Sequence, residues 1–415
     1  MKLPRPPLLA AAGALAALTL PPAQPAAAKE TVSVTVAQYS NKTGPWFQEA
    51  ADAFEKANPD IAVKFQVVPW DTLQQKLTTD ISGGDNSDMS IIGTRWLLDF
   101  VKQGIVAPLD SDMTPEFRSR FIPVFLKPSV LNGKTYGLPI AASARAMFYN
   151  KDILAKAGVN EPPATWDDVV SDCKKVKASA QKDVYCFGLQ GKEIETDVYY
   201  YYAMWSYGGS IVTPDGKSGL TEPAALKAAE LYKSLIDDGL TEPGPTAYNR
   251  EDIQNQFKQG HLAFVMTAPF LITQIKTEAP KLNYGIIPIP KGTTQVTYGV
   301  TDSIVLFDNS KHKAAAWKFL DFIFKPEWRV KFDQNEGFLP VEQSVADMPE
   351  FAGNPGLKVF TSLLPVAKFA PLITGWEQAA DATIRGLQKI YLNQEQPKPA
   401  LDQAAKDVDA AISQQ

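Results

Sequence analysis

The chain has 415 residues, 45% of them hydrophobic and 21% charged, with a formal net charge of −5. That mildly acidic balance, with charges scattered and no basic stripe, argues against a nucleic-acid partner. The length exceeds one comfortable core, so two domains are expected.

The first 28 residues read as an export leader. Lys2 and Arg5 make a positive start, Leu8 to Leu20 is an apolar run too short to span a membrane, and Ala26-Ala27-Ala28 offers a cleavage site. No Cys lies near that site, so no lipid anchor is expected. From Lys29 onward the balance is 39 basic against 46 acidic residues, a net charge of −7.

Val32 to Val36 alternates and is β-branched, which predicts a first strand. A helix follows with Phe47, Ala50, Phe54 and Ala57 on one face, stopped at Asn58-Pro59. Ile61 to Val67 alternates as a second strand, and Leu73, Leu77 and Ile81 mark a helix ended by Gly83-Gly84. Met89 to Ile92 is a short third strand, followed by a helix from Trp96 to Lys102. Such alternation predicts an α/β fold with mostly parallel sheet covered on both faces. Asn132-Gly133 is the clearest tight turn. Thr165-Trp-Asp-Asp168 fits a helix-capping pattern. Cys173 and Cys186, the only cysteines, lie in a chain expected to meet an oxidising compartment, which favours a structural disulfide. Helices are predicted over 223–238 and 250–259, a strand over His261 to Met266, one long helix from Lys311 to about Asn335, and helix again from Trp376.

Between these lies Tyr199 to Gly209, with six aromatic residues in nine positions. Ordinary core, a base-stacking platform and a sugar-stacking platform all fit so many rings with polar tips. On a helix, Val198, Tyr201 or Tyr202, and Trp205 share a face, so two or three rings are core. Catalytic motifs are missing. His261 and His312 stand apart with no metal spacing, and Gly216-Lys217-Ser218 lacks the earlier Gly that a phosphate loop needs, the position being Ile211. No enzyme, cofactor or metal is expected; an exported carboxylate-type hydrolase is the alternative.

Several segments, taken in order, carry a resemblance. These are Phe54-Glu-Lys-Ala-Asn-Pro-Asp-Ile-Ala-Val63, Asn132-Gly-Lys-Thr-Tyr-Gly-Leu-Pro139 with Tyr149-Asn-Lys-Asp152, and Ala157 to Asp167. Tyr298-Gly-Val, Ala314 to Leu320 and Gly337-Phe-Leu-Pro340 complete the set. The chain resembles the bacterial extracellular solute-binding proteins of family 1, the maltose-binding-protein-like sugar receptors of ABC importers. The resemblance implies a two-lobed periplasmic binding protein fold of type II, a periplasmic location, a monomer, and an importer permease as partner. It places crossings near 141–147, 293–299 and 336–340. Lobe one is then 29–142 with 298–338, and lobe two 143–297 with 339–415. A non-sugar solute such as a polyamine or peptide would suit the same fold.

Ligand should sit between the lobes, at loops after the strands. Gln38, Tyr39 and Ser40 follow the first strand, Trp70 the second, and Thr94, Arg95 and Trp96 the third. Trp205, Tyr207 and Gly208 lie where the resembling receptors place a cleft aromatic. Phe270 stands where the family often has Trp, Asp302 lies at the second crossing, and Trp376 begins the late helix. Ser143 replaces an acid of the maltose-binding type, and Arg145 is expected on its side of the chain. Arg95 and Arg145 would suit an anionic or strongly hydrogen-bonding ligand. Paired instead with acids such as Asp88 or Asp99, they would merely hold loops.

Overall fold

The computed structural model describes residues 1–2, 29–192 and 195–413, so the predicted leader, apart from its first two residues, lies outside the described residues. Among the described residues, nine strands build the two larger sheets. In chain order they are β1 (Glu30–Gln38), β2 (Ile61–Pro69), β3 (Met89–Gly93), β4 (Leu138–Ser143), β5 (Ala146–Asn150), β6 (Tyr185–Phe187), β7 (Leu262–Thr267), β8 (Tyr284–Ile287) and β9 (Val300–Leu306). The first sheet has the order β2-β1-β3-β9-β4 and the second β8-β5-β7-β6.

Only part of the pairing is parallel. β1 pairs parallel with β2 and β3, but β9 runs antiparallel to both β3 and β4. In the second sheet β6 pairs parallel with β7, and β5 pairs antiparallel with both β7 and β8. The expectation of a mostly parallel sheet holds in strand direction among the described residues: only β9 runs against the other four strands of the first sheet, and only β5 against the other three of the second. Within the β1–β3 unit the prediction holds. Val32, Val34 and Val36 are buried, and Trp46, Phe47, Ala50 and Phe54 of the helix Thr43–Ala57 cover them. Ala57, expected on that face, is exposed.

Local signals mostly behave as written. Asn132 and Gly133 both take positive φ in the turn between Val130–Leu131 and Lys134–Thr135. Thr165 Oγ1 accepts from Asp168 N at 3.1 Å while Thr165 N donates to Asp168 Oδ2 at 2.9 Å, a reciprocal cap on the helix Trp166–Ala178. The long helix from Lys311 is instead two helices, Lys313–Ile323 and Pro326–Glu336. Pro326 has no N–H to continue the first and is well placed to begin the second.

The three segments read as crossings are tied to one another. Arg145 N donates to Thr297 Oγ1 at 2.9 Å, Thr297 Oγ1 donates to Arg145 O at 2.6 Å, and Leu339 N donates to Ala142 O at 2.9 Å. Gly337, in the third segment, has φ +76°, and a Cβ there would meet the Phe270 backbone at 2.7 Å. No other residue fits that bend against the second lobe.

Cys173 and Cys186 are bonded, linking the helix Trp166–Ala178 to β6, with both residues buried. A bridge across a separation of 13 residues stabilises by about 2–4 kcal/mol in the chain-entropy account. Cys173→Ala/Cys186→Ala should lower unfolding stability by about that amount in urea. An unchanged midpoint under non-reducing conditions would show that the bridge contributes nothing.

Candidate functional site

Where β1 ends, Thr43 Oγ1 accepts from the backbone N–H of both Tyr39 and Ser40, each at 3.1 Å, and donates to Glu336 Oε1 at 2.8 Å. This clamp aims the Tyr39 ring. Its hydroxyl donates to Asp302 Oδ2 at 2.9 Å, and its face lies 6.1 Å from Trp70, with Trp96 a further 5.6 Å on. The Arg95 guanidinium covers both indoles, at 6.0 and 5.5 Å. On the other side Tyr39 meets the edge of Phe338, Phe338 that of Phe270, and Arg250 lies 5.4 Å over Phe270. The aromatic path thus runs from the first lobe, through the third crossing, to the second.

Asp302 is placed by an irregularity. It faces Gly93 across β3, and the register with β4 shifts between Asp302 and Ser303. Such a bulge re-aims a side chain. Asp302 is 6% exposed, and burial pushes its carboxyl up to about 7 despite the Tyr39 hydroxyl and the Arg95 charge. Thr94 is buried behind it, its hydroxyl bonded to those of Ser303 and Thr301. A depression of about 330 Å³, open to solvent, is lined by Thr94, Arg95, Tyr298, Thr301, Phe369 and Leu372 among others.

Two ion pairs lie beside this cluster, and the first joins the lobes. Arg95 Nε donates to Glu377 Oε1 at 3.0 Å, and Trp96 Nε1 donates to the same oxygen. Burial alone would lower the Arg95 pKa; the Glu377 carboxylate, then Glu195, raise it well above its ordinary value. Beside this pair, Lys102 Nζ reaches Thr374 Oγ1 at 2.8 Å. Arg250 Nη1 binds Glu195 Oε2 at 2.9 Å. Burial pushes the Glu195 carboxyl up, but Arg250, Arg145 and Arg95 together pull it below the ordinary range. Asp197, in the first turn of the helix Thr196–Ser206, is pushed up to about 7 by burial. Ser143 and Arg145 do share a side, with Arg145 Nη1 donating to Ser143 Oγ at 2.6 Å.

The structure thus gathers Tyr39, Trp70, Arg95, Trp96 and Asp302 into one cluster, with Ser40 and Thr94 supporting it and Ser143 and Arg145 at its hinge side. Gln38 is exposed at the strand end. Trp205 is 3% exposed, stacked on Tyr298 at 4.9 Å and Tyr201 at 6.0 Å. Tyr207 is half-buried under Lys227, and Gly208 is exposed next to Thr293. Trp376 is buried in the second lobe's core and presents its neighbour Glu377 to Arg95. Among the described residues neither Asp88 nor Asp99 pairs with an arginine; Asp88 accepts from Ser33 and Ser310, and Asp99 from Gly375 N. Glu195, Arg250, Glu336, Phe338 and Glu377 were not foreseen. Phe338 and Glu336 flank the Gly337 bend, and Glu377 follows Trp376, so adjacency was the signal for those three. Nothing local marks Glu195 or Arg250.

A sequence profile described as bacterial extracellular solute-binding protein matches residues 38–330. The chain belongs to that family. This solute-binding protein is 59% identical over 403 residues to a Brucella abortus (strain 2308) protein named only as a binding protein, covering 97% of this chain and 98% of the relative. The maltotriose-binding protein of Pyrococcus abyssi is 26% identical, over 78% of this chain and 70% of its own. A Thermotoga lettingae ABC transporter solute-binding protein, solved with alpha-D-tagatose, superposes with a TM-score of 0.85 at 22% identity, covering 93% and 100% of the two chains. The fold is the two-lobed type II architecture of such proteins.

Two outcomes follow from these charges. Asp302 has a folded-state pKa raised above its unfolded value, so its contribution to stability is complete below about 4 and lost as pH rises through about 7. Asp302→Asn should therefore flatten the fall in melting temperature across that window; an unaltered pH profile would place Asp302 outside the buried cluster. Glu377→Ala should loosen the lobes, raising the ligand-free radius of gyration in small-angle scattering, and an identical radius would show that the Arg95 pair holds nothing shut.

Proposed function

We propose that this solute-binding protein captures a carbohydrate between its lobes in the periplasm and delivers it to an inner-membrane ABC importer. The observation that carries the reading is the pairing of surfaces at Tyr39. The rings of Tyr39 and Trp70 are only half-buried, while beside them Arg95 Nη2 and Asp302 Oδ1 are buried without a hydrogen-bond partner among the described residues. A sugar offers an apolar C–H face to such rings, and its hydroxyls both accept and donate. Leaving those two atoms unpaired is costly, so a ligand that bonds both gains accordingly. The maltotriose-binding relative supports a sugar, and the fold shared with the tagatose-bound protein supports capture between two lobes. The protein acts as a monomeric receptor rather than an enzyme, and needs no cofactor.

A ligand held by both lobes shifts the equilibrium toward the closed form only through its preference for that form. A thermal-shift screen of sugars, polyols and glycosides tests the reading, because a ligand specific to the folded state raises its melting temperature. At least one carbohydrate should stabilise the protein and be recovered unmodified. Trp70→Ala and Asp302→Ala should each weaken that ligand about ten- to hundredfold with the fold intact. Turnover of a glycoside, or stabilisation by polyamines or peptides alone, would replace the receptor-for-sugar reading.

A further inference from the structure

Among the described residues, Arg145 is the member of the cleft's arginine trio without an ion-pair partner. Arg95 is matched by Glu377 and Arg250 by Glu195, each in direct contact. Arg145, 5% exposed, donates to the Ser143 hydroxyl and lies beside the Tyr202 phenol, both neutral, and forms no ion pair among the described residues. The carboxyls that feel its charge are Glu195 and Asp302, neither in contact with it. A buried guanidinium with only neutral partners keeps its desolvation cost uncompensated.

Glu195 is the second observation. It carries φ +84°, a left-handed backbone conformation that is unfavourable for a residue with a side chain, and it caps the helix Thr196–Ser206 without a side-chain cap bond. Arg250 touches its carboxylate, while Arg145 and Arg95 act on it without contact.

Resting on the carbohydrate reading above, we propose that the ligand is an acidic sugar. Its carboxylate or phosphate pairs with Arg145, and Glu195 is the internal carboxylate that competes for the same arginines. A guanidinium grips either anion through two parallel hydrogen bonds, which a neutral hydroxyl cannot reproduce. The aromatic path through Tyr39 and Trp70 then holds the ring while the acid sets the specificity. Glu195 holds ligand-free Arg250 in place and, because it shares the arginines, rejects ligands that bring no charge to outcompete it.

Calorimetric titration of the purified protein with glucuronate, galacturonate, glucose 6-phosphate and sn-glycerol 3-phosphate, against glucose, galactose and maltose, tests this. At least one acidic probe should bind at least tenfold tighter than its neutral counterpart, and a response to carboxylates alone or phosphates alone identifies the source of the anion. Arg145→Gln should remove that preference, weakening the acidic probe at least tenfold more than its neutral counterpart. Glu195→Gln, of the same shape, should tighten the acidic probe severalfold and, by ending the rejection of uncharged ligands, let neutral sugars bind measurably tighter as well; it keeps the test open should Arg145→Gln not fold. Tight binding of a neutral sugar, indifferent to both substitutions, overturns the acidic-ligand inference and leaves the carbohydrate reading standing. Absence of binding in both series overturns the two together.

Discussion

The constraint on which everything else depends is the return of the chain from one lobe into the sheet of the other. β9 inserts between β3 and β4, antiparallel to each, and so completes a sheet whose first three strands were laid down more than 200 residues earlier. Backbone pairing sets its register. That register puts Asp302 opposite Gly93, one residue before Thr94, and within reach of the Tyr39 hydroxyl. Immediately before β9, Thr297 is bonded twice to the Arg145 backbone, so the same segment fixes the hinge side of the cleft. Moving β9 by one residue would turn Asp302 to the opposite face of the sheet.

Around this frame the cleft is assembled from charges that are individually expensive to bury. One pair joins the lobes, Arg95 with Glu377, and a second, Arg250 with Glu195, lies within the second lobe. Buried pairs of this kind contribute little net stability, because desolvation offsets the attraction. They do specify how two surfaces meet. Where acids lack a charged partner, as at Asp302 and Asp197, burial moves them toward the neutral form. The surface between the lobes therefore sets arginines paired with carboxylates beside acids that burial raises toward neutral pH.

The aromatic run Tyr199 to Trp205 resolves into core, which the composition alone left open. Every residue of the helix Thr196–Ser206 is buried, so the two-sided pattern expected of it does not exist. Four neighbouring phenols are compatible with a core because each finds a bonding partner or a neutral neighbour. Tyr199 donates to Met266 O, Tyr200 to Ala225 O at 2.8 Å, and Tyr201 lies 3.4 Å from the Thr383 hydroxyl. Tyr202 faces Arg145. The helix thus serves the cleft from behind, bearing Glu195 and Asp197 at its start and the Tyr298–Trp205 stack near its end.

Short-range features were legible in the residues themselves. The β1–helix–β2 alternation, the Asn132-Gly133 turn, the Thr165 cap and the Cys173–Cys186 bridge depend on neighbours within a few residues, or on compartment and count. Resemblance of ordered segments was enough for family and two-lobed fold. Tyr39, Trp70, Arg95 and Asp302 were within reach because each sits where a strand ends or a crossing begins. Which side chains meet across the cleft was decided only by tertiary structure. Glu377 reaches Arg95 across 282 positions, and Glu195 meets Arg250 across 55. Such pairs follow from strand register and lobe closure, and local propensity carries no information about either. The antiparallel entry of β9 and the burial of Trp205 have the same origin: both are set by what the rest of the chain packs against them.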